Sequence, residues 1–328
     1  MRVVSANEID AALSFPALIE ALRRAFAAKL EAPERHHHAV ARADETATLL
    51  LMPAWTGVGE RPSYLATKLA TVFPGNTSRG HPSVYATTIL LDGETGEPLA
   101  AMDGTRLTLW RTAAASALAA SYLARQDASR LLMVGAGALA PFLIRAHGAV
   151  RPIREVALWN RNPNRAEETA ERMNQERGRD GDAPLVRVAE DLESAARAAD
   201  VIACATLSRN PLVKGEWLKE GAHLDLVGAF NLEMREADDA ALRRARLFID
   251  SKAALSEGGD VAVALRDGGI SASHVVGDLE SLVRGDAKGR SSAREITAFK
   301  SIGAAIEDLA AAVAVWEAIN GRSAKSQP

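Results

Sequence analysis

Three groups of residues in this 328-residue chain have the types and spacing of reactive or ligand-holding side chains. The first is Gly135-x-Gly137-x-x-Ala140, which follows the apolar run Arg130–Val134 directly and opens an apolar-periodic segment. In that order of strand, turn and helix, Gly135 permits a tight turn and Gly137 lets backbone N–H groups approach a pyrophosphate. Ala140 then lets the helix pack on the sheet. The phosphates would lie at the positive end of the helix, over Gly135, Ala136, Gly137, Ala138 and Leu139. The second group is Asn160, Arg161 and Arg165, at and beyond the end of the next apolar segment, Glu155–Asn160. An acidic residue about 20 residues past the glycine turn would accept from a ribose 2′-OH; an arginine there suits a 2′-phosphate instead. The expected cofactor is therefore NADPH, with NADH also accepted. The alternative is that both arginines are solvated loop charges.

The third group is Lys68 and Arg111. With period-2 spacing, Lys68 shares a strand face with Tyr64, Ala66, Ala70 and Val72. A cation on such a face is either paired with an anion or driven toward neutrality. The first state grips a carboxylate, and the second exchanges a proton near neutral pH. The competing reading is a lysine guarding an edge strand. Arg111 lies in the alanine-rich Leu107–Ala117, expected near a helix start, with no acid close to it in sequence. An anionic ligand is the expected partner, a surface helix arginine the alternative.

Other polar residues read as bland. Adjacent His36, His37 and His38 point in different directions, and no Cys or Glu completes a metal set, so no metal is expected. Asp250 and the Glu257-Gly-Gly-Asp260 run read as solvated charges in turns. Cys204, the one cysteine, sits in an apolar run and reads as packing. No GxSxG, HExxH or P-loop occurs, which leaves hydride transfer as the chemistry of a nicotinamide fold.

Two kinds of structure must position these groups. From the capping-box spacing of Ser5 and Glu8, and Pro16 early in a second helix with Leu18, Ile19, Leu22 and Phe26 on one face, the chain opens with two helices. Strands follow at Thr46–Trp55, Tyr64–Phe73, Ser83–Leu91 and Leu99–Met102, then an alanine-rich helix over Leu107–Leu123. Beyond Arg130, strands and helices alternate to Lys300, and an apolar helix spans Ala304–Ile319 before a polar tail expected to fray. The expected fold is α/β: a Rossmann-like dinucleotide-binding domain over 119–298, plus a discontinuous α+β domain for substrate binding and dimerisation over 1–118 and 299–328. A net charge of −3 with 25% charged residues offers no basic field for nucleic acid. No uncharged apolar run approaches membrane-spanning length, and the first residues lack a signal-peptide pattern, so a cytoplasmic protein is expected.

The chain resembles the ornithine cyclodeaminase/μ-crystallin family over nearly its whole length. The resemblance is carried by Met52-Pro-Ala54, Lys68 with Phe73-Pro-Gly-Asn76, and Asp103-Gly-x-x-Leu-Thr-x-x-Arg111-Thr-Ala-Ala. Val134-Gly-Ala-Gly137, Trp159-Asn-Arg161, Met234-Arg-Glu-Ala-Asp238 and Phe299-Lys-Ser-Ile-Gly-Ala-Ala-Ile-Glu-Asp308 add to it. It implies a homodimer, and it implies that Arg35, Lys68 and Arg111 surround a substrate carboxylate. Members that release or take up ammonia carry an aspartate where this chain has Phe230, in Gly228-Ala-Phe-Asn-Leu232. A ready-made cyclic imine needs no such carboxylate, so the chain looks most like the reductases of Δ1-pyrroline-2-carboxylate and Δ1-piperideine-2-carboxylate. Arg111, with Arg35 and Ser83, would pin the carboxylate, and Lys68 would join that clamp or keep the imine protonated. Thr112, Thr206, Val227, Lys300 and Ser301 are further candidates for lining the cofactor. The rivals are a cyclodeaminase or alanine-dehydrogenase-like enzyme of the same family, and a non-catalytic binder. A generic dehydrogenase is a third, with His147, His223 or His274 as proton relay.

Overall fold

The computed structural model describes residues 1–180 and 184–325. In chain order the elements are β1 (Arg2–Val4), α1 (Ala6–Ala12), α2 (Phe15–Ala27), β2 (Leu30–Glu31), β3 (His36–Ala41), β4 (Thr46–Thr56), β5 (Tyr64–Val72), β6 (Val84–Asp92), β7 (Pro98–Asp103) and α3 (Gly104–Leu123). Then come β8 (Arg130–Val134), α4 (Ala140–Val150), β9 (Glu155–Trp159), α5 (Pro163–Asp180), β10 (Leu185–Val188), α6 (Leu192–Ala198), β11 (Val201–Cys204) and β12 (His223–Leu226). The chain closes with α7 (Asp239–Arg244), β13 (Arg246–Ile249), α8 (Gly259–Arg266), β14 (Val275–Asp278), α9 (Leu279–Arg284), β15 (Thr297–Lys300) and α10 (Ala305–Lys325).

Two compact units result, Met1–Thr112 with Ala304–Pro328, and Ala113–Gly303. These boundaries differ from the sequence expectation for a packing reason. From Ala113 onward α3 belongs to the second unit, where Ser116 Oγ donates to Asp225 Oδ1 on β12 at 3.1 Å. β15 pairs in parallel with both β12 and β13, which carries 299–303 into that unit too.

The first unit is built on a mainly antiparallel sheet in the order β1-β7-β6-β5-β4-β2, with β3 also on β4. Alternation decides its faces. Met52, Ala54, Ala66, Lys68, Ala70, Thr88, Leu90, Ala100 and Met102 are all buried on one side, and α10 packs against β4, β5 and β6. Ser5 caps α1 through the expected capping box with Glu8. Leu18, Ile19, Leu22 and Phe26 form the buried stripe of α2, which packs on α10. The other sheet face presents Leu49 and Leu69, half-buried, and Tyr85, exposed, over a cavity of about 600 Å³ on that face. α3 starts at Gly104, so Arg111 lies in its second turn rather than at its opening. α10 is helical to Lys325, beyond the point at which the polar tail was expected to fray.

The second unit is an all-parallel sheet in the order β10-β9-β8-β11-β12-β15-β13-β14. β8 after Arg130 and β11 read as continuous apolar runs, as strands covered on both faces do; β8, β11 and β12 are buried almost end to end. The first five positions reproduce the 3-2-1-4-5 strand order of a dinucleotide-binding fold, with the order reversing between β8 and β11. Ligands bind beyond the carboxyl ends of the strands at such a reversal, and Gly135 follows the end of β8 there.

Candidate functional site

The nucleotide side of the site is preformed in the second unit. A cavity of about 500 Å³ is lined by Gly135, Ala136, Gly137, Trp159, Asn160, Arg161, Asn162, Arg165, Ala205, Thr206, Leu207, Ser208 and Leu212. Gly135 has φ +109°, and a Cβ there would meet the Ala205 carbonyl oxygen at 2.5 Å, so glycine is required by both conformation and space. A Cβ on Gly137 would meet nothing within 4 Å, which leaves room beside the turn for a ligand. Asn160 Oδ1 accepts from Ala136 N at 3.2 Å and ties the end of β9 to the turn. No side chain caps α4 at Leu139, so the helix end can turn its N–H groups to an anion. Two exposed arginines and no carboxylate line the cavity. The donor set therefore fits a pyrophosphate and an adenosine ribose. Of the further cofactor candidates only Thr206 lines this cavity; Thr112, Ala138, Leu139, Val227, Lys300 and Ser301 do not.

In the first unit, Lys68 and Arg111 are brought together by an element far away in sequence. Arg111 Nη1 donates to Glu307 Oε2 at 2.7 Å and Nε to Asp308 Oδ1 at 3.1 Å. Lys68 Nζ lies 2.7 Å from Asp308 Oδ2. All four side chains are at least nine-tenths buried, and their formal charges cancel. Arg111 has no acid close to it in sequence, but it does have acidic partners, 196 and 197 residues away in the first turn of α10. Acids belong there because the helix N-terminus favours negative charge. Burial, with help from Arg111, pulls the Lys68 pKa down to about 8, against the opposing pull of Asp308 and Glu307. Thr88, opposite Lys68 in register, carries a buried hydroxyl with no hydrogen-bond partner among the described residues. Arg35 and Ser83 are half-buried just ahead of β3 and β6.

Several residues read as solvated are in fact internal. Asp250 is 2% exposed and accepts from Ile302 N and Gly303 N at 2.7 and 2.6 Å. Asp260 is fully buried, accepts from Glu236 N and Ala237 N at 2.7 and 3.0 Å, and sits 3.3 Å from Lys300 Nζ. Lys300 is therefore a buried counter-ion to Asp260. His147 and His223 are fully buried, bonded to Asp225 and Thr297, and His274 bonds Ser271, so these histidines are engaged structurally. Phe230, by contrast, is 38% exposed on the loop after β12. Cys204 is buried, and burial raises its thiol well above the usual range, in keeping with a packing role.

A parallel sheet of this strand order with a glycine turn at its reversal point defines a dinucleotide-binding protein of the Rossmann class. The model of the ornithine cyclodeaminase/mu-crystallin family matches residues 1–323, and the chain belongs to that family. It is 42% identical over 293 residues to Protein SAR DEFICIENT 4 of Arabidopsis thaliana, covering 88% of this chain and 87% of that one. To the Δ1-pyrroline-2-carboxylate reductase of Paracoccus denitrificans it is 38% identical over 309 residues, 93% of each chain. Among solved structures, Thermococcus litoralis Δ1-pyrroline-2-carboxylate reductase in complex with NADH and L-proline superposes with a TM-score of 0.91, at 35% identity and 98% coverage of both chains.

Proposed function

We propose that this protein reduces a cyclic imino acid, Δ1-pyrroline-2-carboxylate or Δ1-piperideine-2-carboxylate, to L-proline or L-pipecolate with NADPH or NADH. The observation that carries this reading is the buried, charge-balanced cluster of Lys68, Arg111, Glu307 and Asp308. A neutral cluster of that kind suits a substrate that is itself neutral overall, a ring iminium bearing a carboxylate. Arg111, Arg35 and Ser83 orient the carboxylate. A guanidinium has five N–H donors, so serving two protein acids does not preclude serving a third. Lys68, held by Asp308, protonates the ring nitrogen of the bound imine, and so forms that iminium. A bound reduced nicotinamide supplies the hydride to the imine carbon, so C=N becomes CH–NH with one hydride and one proton added. Orientation contributes much of the acceleration. Turnover of both imines with each nicotinamide tests the reading; a difference of one methylene is worth only about 1–3 kcal/mol, so both rings should react.

NADPH is preferred, with Arg161 and Arg165 on its 2′-phosphate. Arg161→Ala should weaken NADPH about 10- to 100-fold, the loss of about 1.5–3 kcal/mol from a hydrogen bond to a charged group. NADH affinity should stay unchanged. Nucleotide fluorescence titration measures both, and equal loss for the two would remove Arg161 from that role.

The pH profile follows from Lys68. Its pKa is lowered to about 8, so the ammonium form is present below that value and is lost above it. kcat/KM for the imine should fall above about pH 8 by about tenfold per unit, and Lys68→Arg, protonated throughout, should abolish that fall. The exposed face around Leu49, Leu69 and Tyr85 provides the surface for a homodimer.

A further inference from the structure

In the second unit a buried carboxylate that the mechanism above does not use holds the ends of two neighbouring strands. Glu236 is fully buried. Its Oε1 accepts from Thr206 N at 2.6 Å and from Thr206 Oγ1 at 2.9 Å, and its Oε2 accepts from Gly228 N at 2.7 Å. Thr206 follows β11 and lines the nucleotide cavity, while Gly228 follows β12. The packing is close enough that a Cβ on Gly228 would run into Thr206 O and Glu236 Oε1. Three donors thus converge on one carboxylate, and an ionised carboxylate is an acceptor only. A proton on Oε2 would set a donor against Gly228 N–H and weaken that bond, and a proton on Oε1 could be accommodated only by reversing the Thr206 hydroxyl.

We propose that Glu236 is a positioning residue for the dinucleotide, holding Thr206 and Gly228 in the shape the bound nucleotide requires only while it is ionised. The surroundings put its titration in a useful range. Burial and the neighbouring Asp260 push Glu236 up to about 7, against Lys300 and the bonds from Thr206. The other groups facing it are Cys204 on β11, whose thiol stays neutral, and Arg235, whose Nε is 4.0 Å from Asp260 Oδ1. Dinucleotide affinity should therefore depend on pH through a residue that the substrate never touches.

The inference rests on dinucleotide binding by this unit, which NADH binding to the wild type at pH 8 establishes separately. NADH carries no 2′-phosphate to titrate, so it is the probe. If only ionised Glu236 supports binding, Kd for NADH should rise about tenfold between pH 8 and pH 6. Glu236→Gln keeps one acceptor oxygen and should bind NADH weakly at both values, without the slope. Asp260→Asn, which removes the neighbouring charge while keeping an acceptor for Glu236 N and Ala237 N, should move the inflection to lower pH. That variant decides the matter if Glu236→Gln does not fold. A flat wild-type profile overturns the proposal. So does a Glu236→Gln protein that keeps the slope or binds like wild type at pH 8, or an Asp260→Asn inflection that does not move.

Discussion

Replacing Lys68 by methionine should lower kcat/KM for the cyclic imine by about 10²–10⁴-fold, the range that a positioned general acid contributes. Methionine keeps much of the length and the apolar stem. The loss then reports the ammonium rather than the packing. The fold should survive with a smaller loss of stability than Arg111→Met causes, because Arg111 still bonds both Glu307 and Asp308. NADH binding should also be preserved, since the nucleotide cavity is lined wholly by the second unit. Steady-state kinetics and a nucleotide titration on the same preparation separate the two effects. A variant with near wild-type turnover would leave Lys68 a structural counter-ion to Asp308 on an interior strand.

The second large effect concerns stability. Arg111→Met should destabilise the protein by about 3–5 kcal/mol, because it takes the paired cation from buried Glu307 and leaves Asp308 with Lys68 alone. The arginine reaches both acids through separate nitrogens. Adding Glu307→Gln in the same chain removes the carboxylate left without its cation, and part of the loss should be recovered. Urea denaturation of the wild type, the single variant and the double variant measures this. A cost below about 1 kcal/mol, in the range of surface pairs, would mean that the cluster is solvated. No recovery in the double variant would mean that charge imbalance is not the cause.

Much of this architecture was legible locally. The glycine turn after β8, the strand runs of the first unit and the capped first helix are each specified by a few adjacent residues, and each formed where expected. Lys68 could be singled out because its neighbours at period 2 are apolar. What the local pattern could not supply was its partner. Asp308 is 240 positions on, in a helix whose own sequence says only that acids suit its first turn. The same limit explains Asp250 and Asp260. In sequence they look like charges in turns, and only the folded sheet brings backbone N–H groups and Lys300 to them. A polar residue in a turn is solvated by default, and nothing within a few residues marks the exceptions.

Asp308 also bears on the choice between reductase and ammonia-releasing chemistry. A carboxylate does stand beside Lys68. Asp308 is already bound to a lysine and an arginine, so it is poorly suited to hold a substrate ammonium as well. The decisive measurement offers purified protein Δ1-pyrroline-2-carboxylate with NADPH in one reaction and L-ornithine with an oxidised nicotinamide in another. Nicotinamide absorbance and free ammonia are followed in both. Consumption of NADPH with formation of L-proline, and no ammonia from ornithine, is the result expected here; ammonia release from ornithine with an inert imine would contradict it.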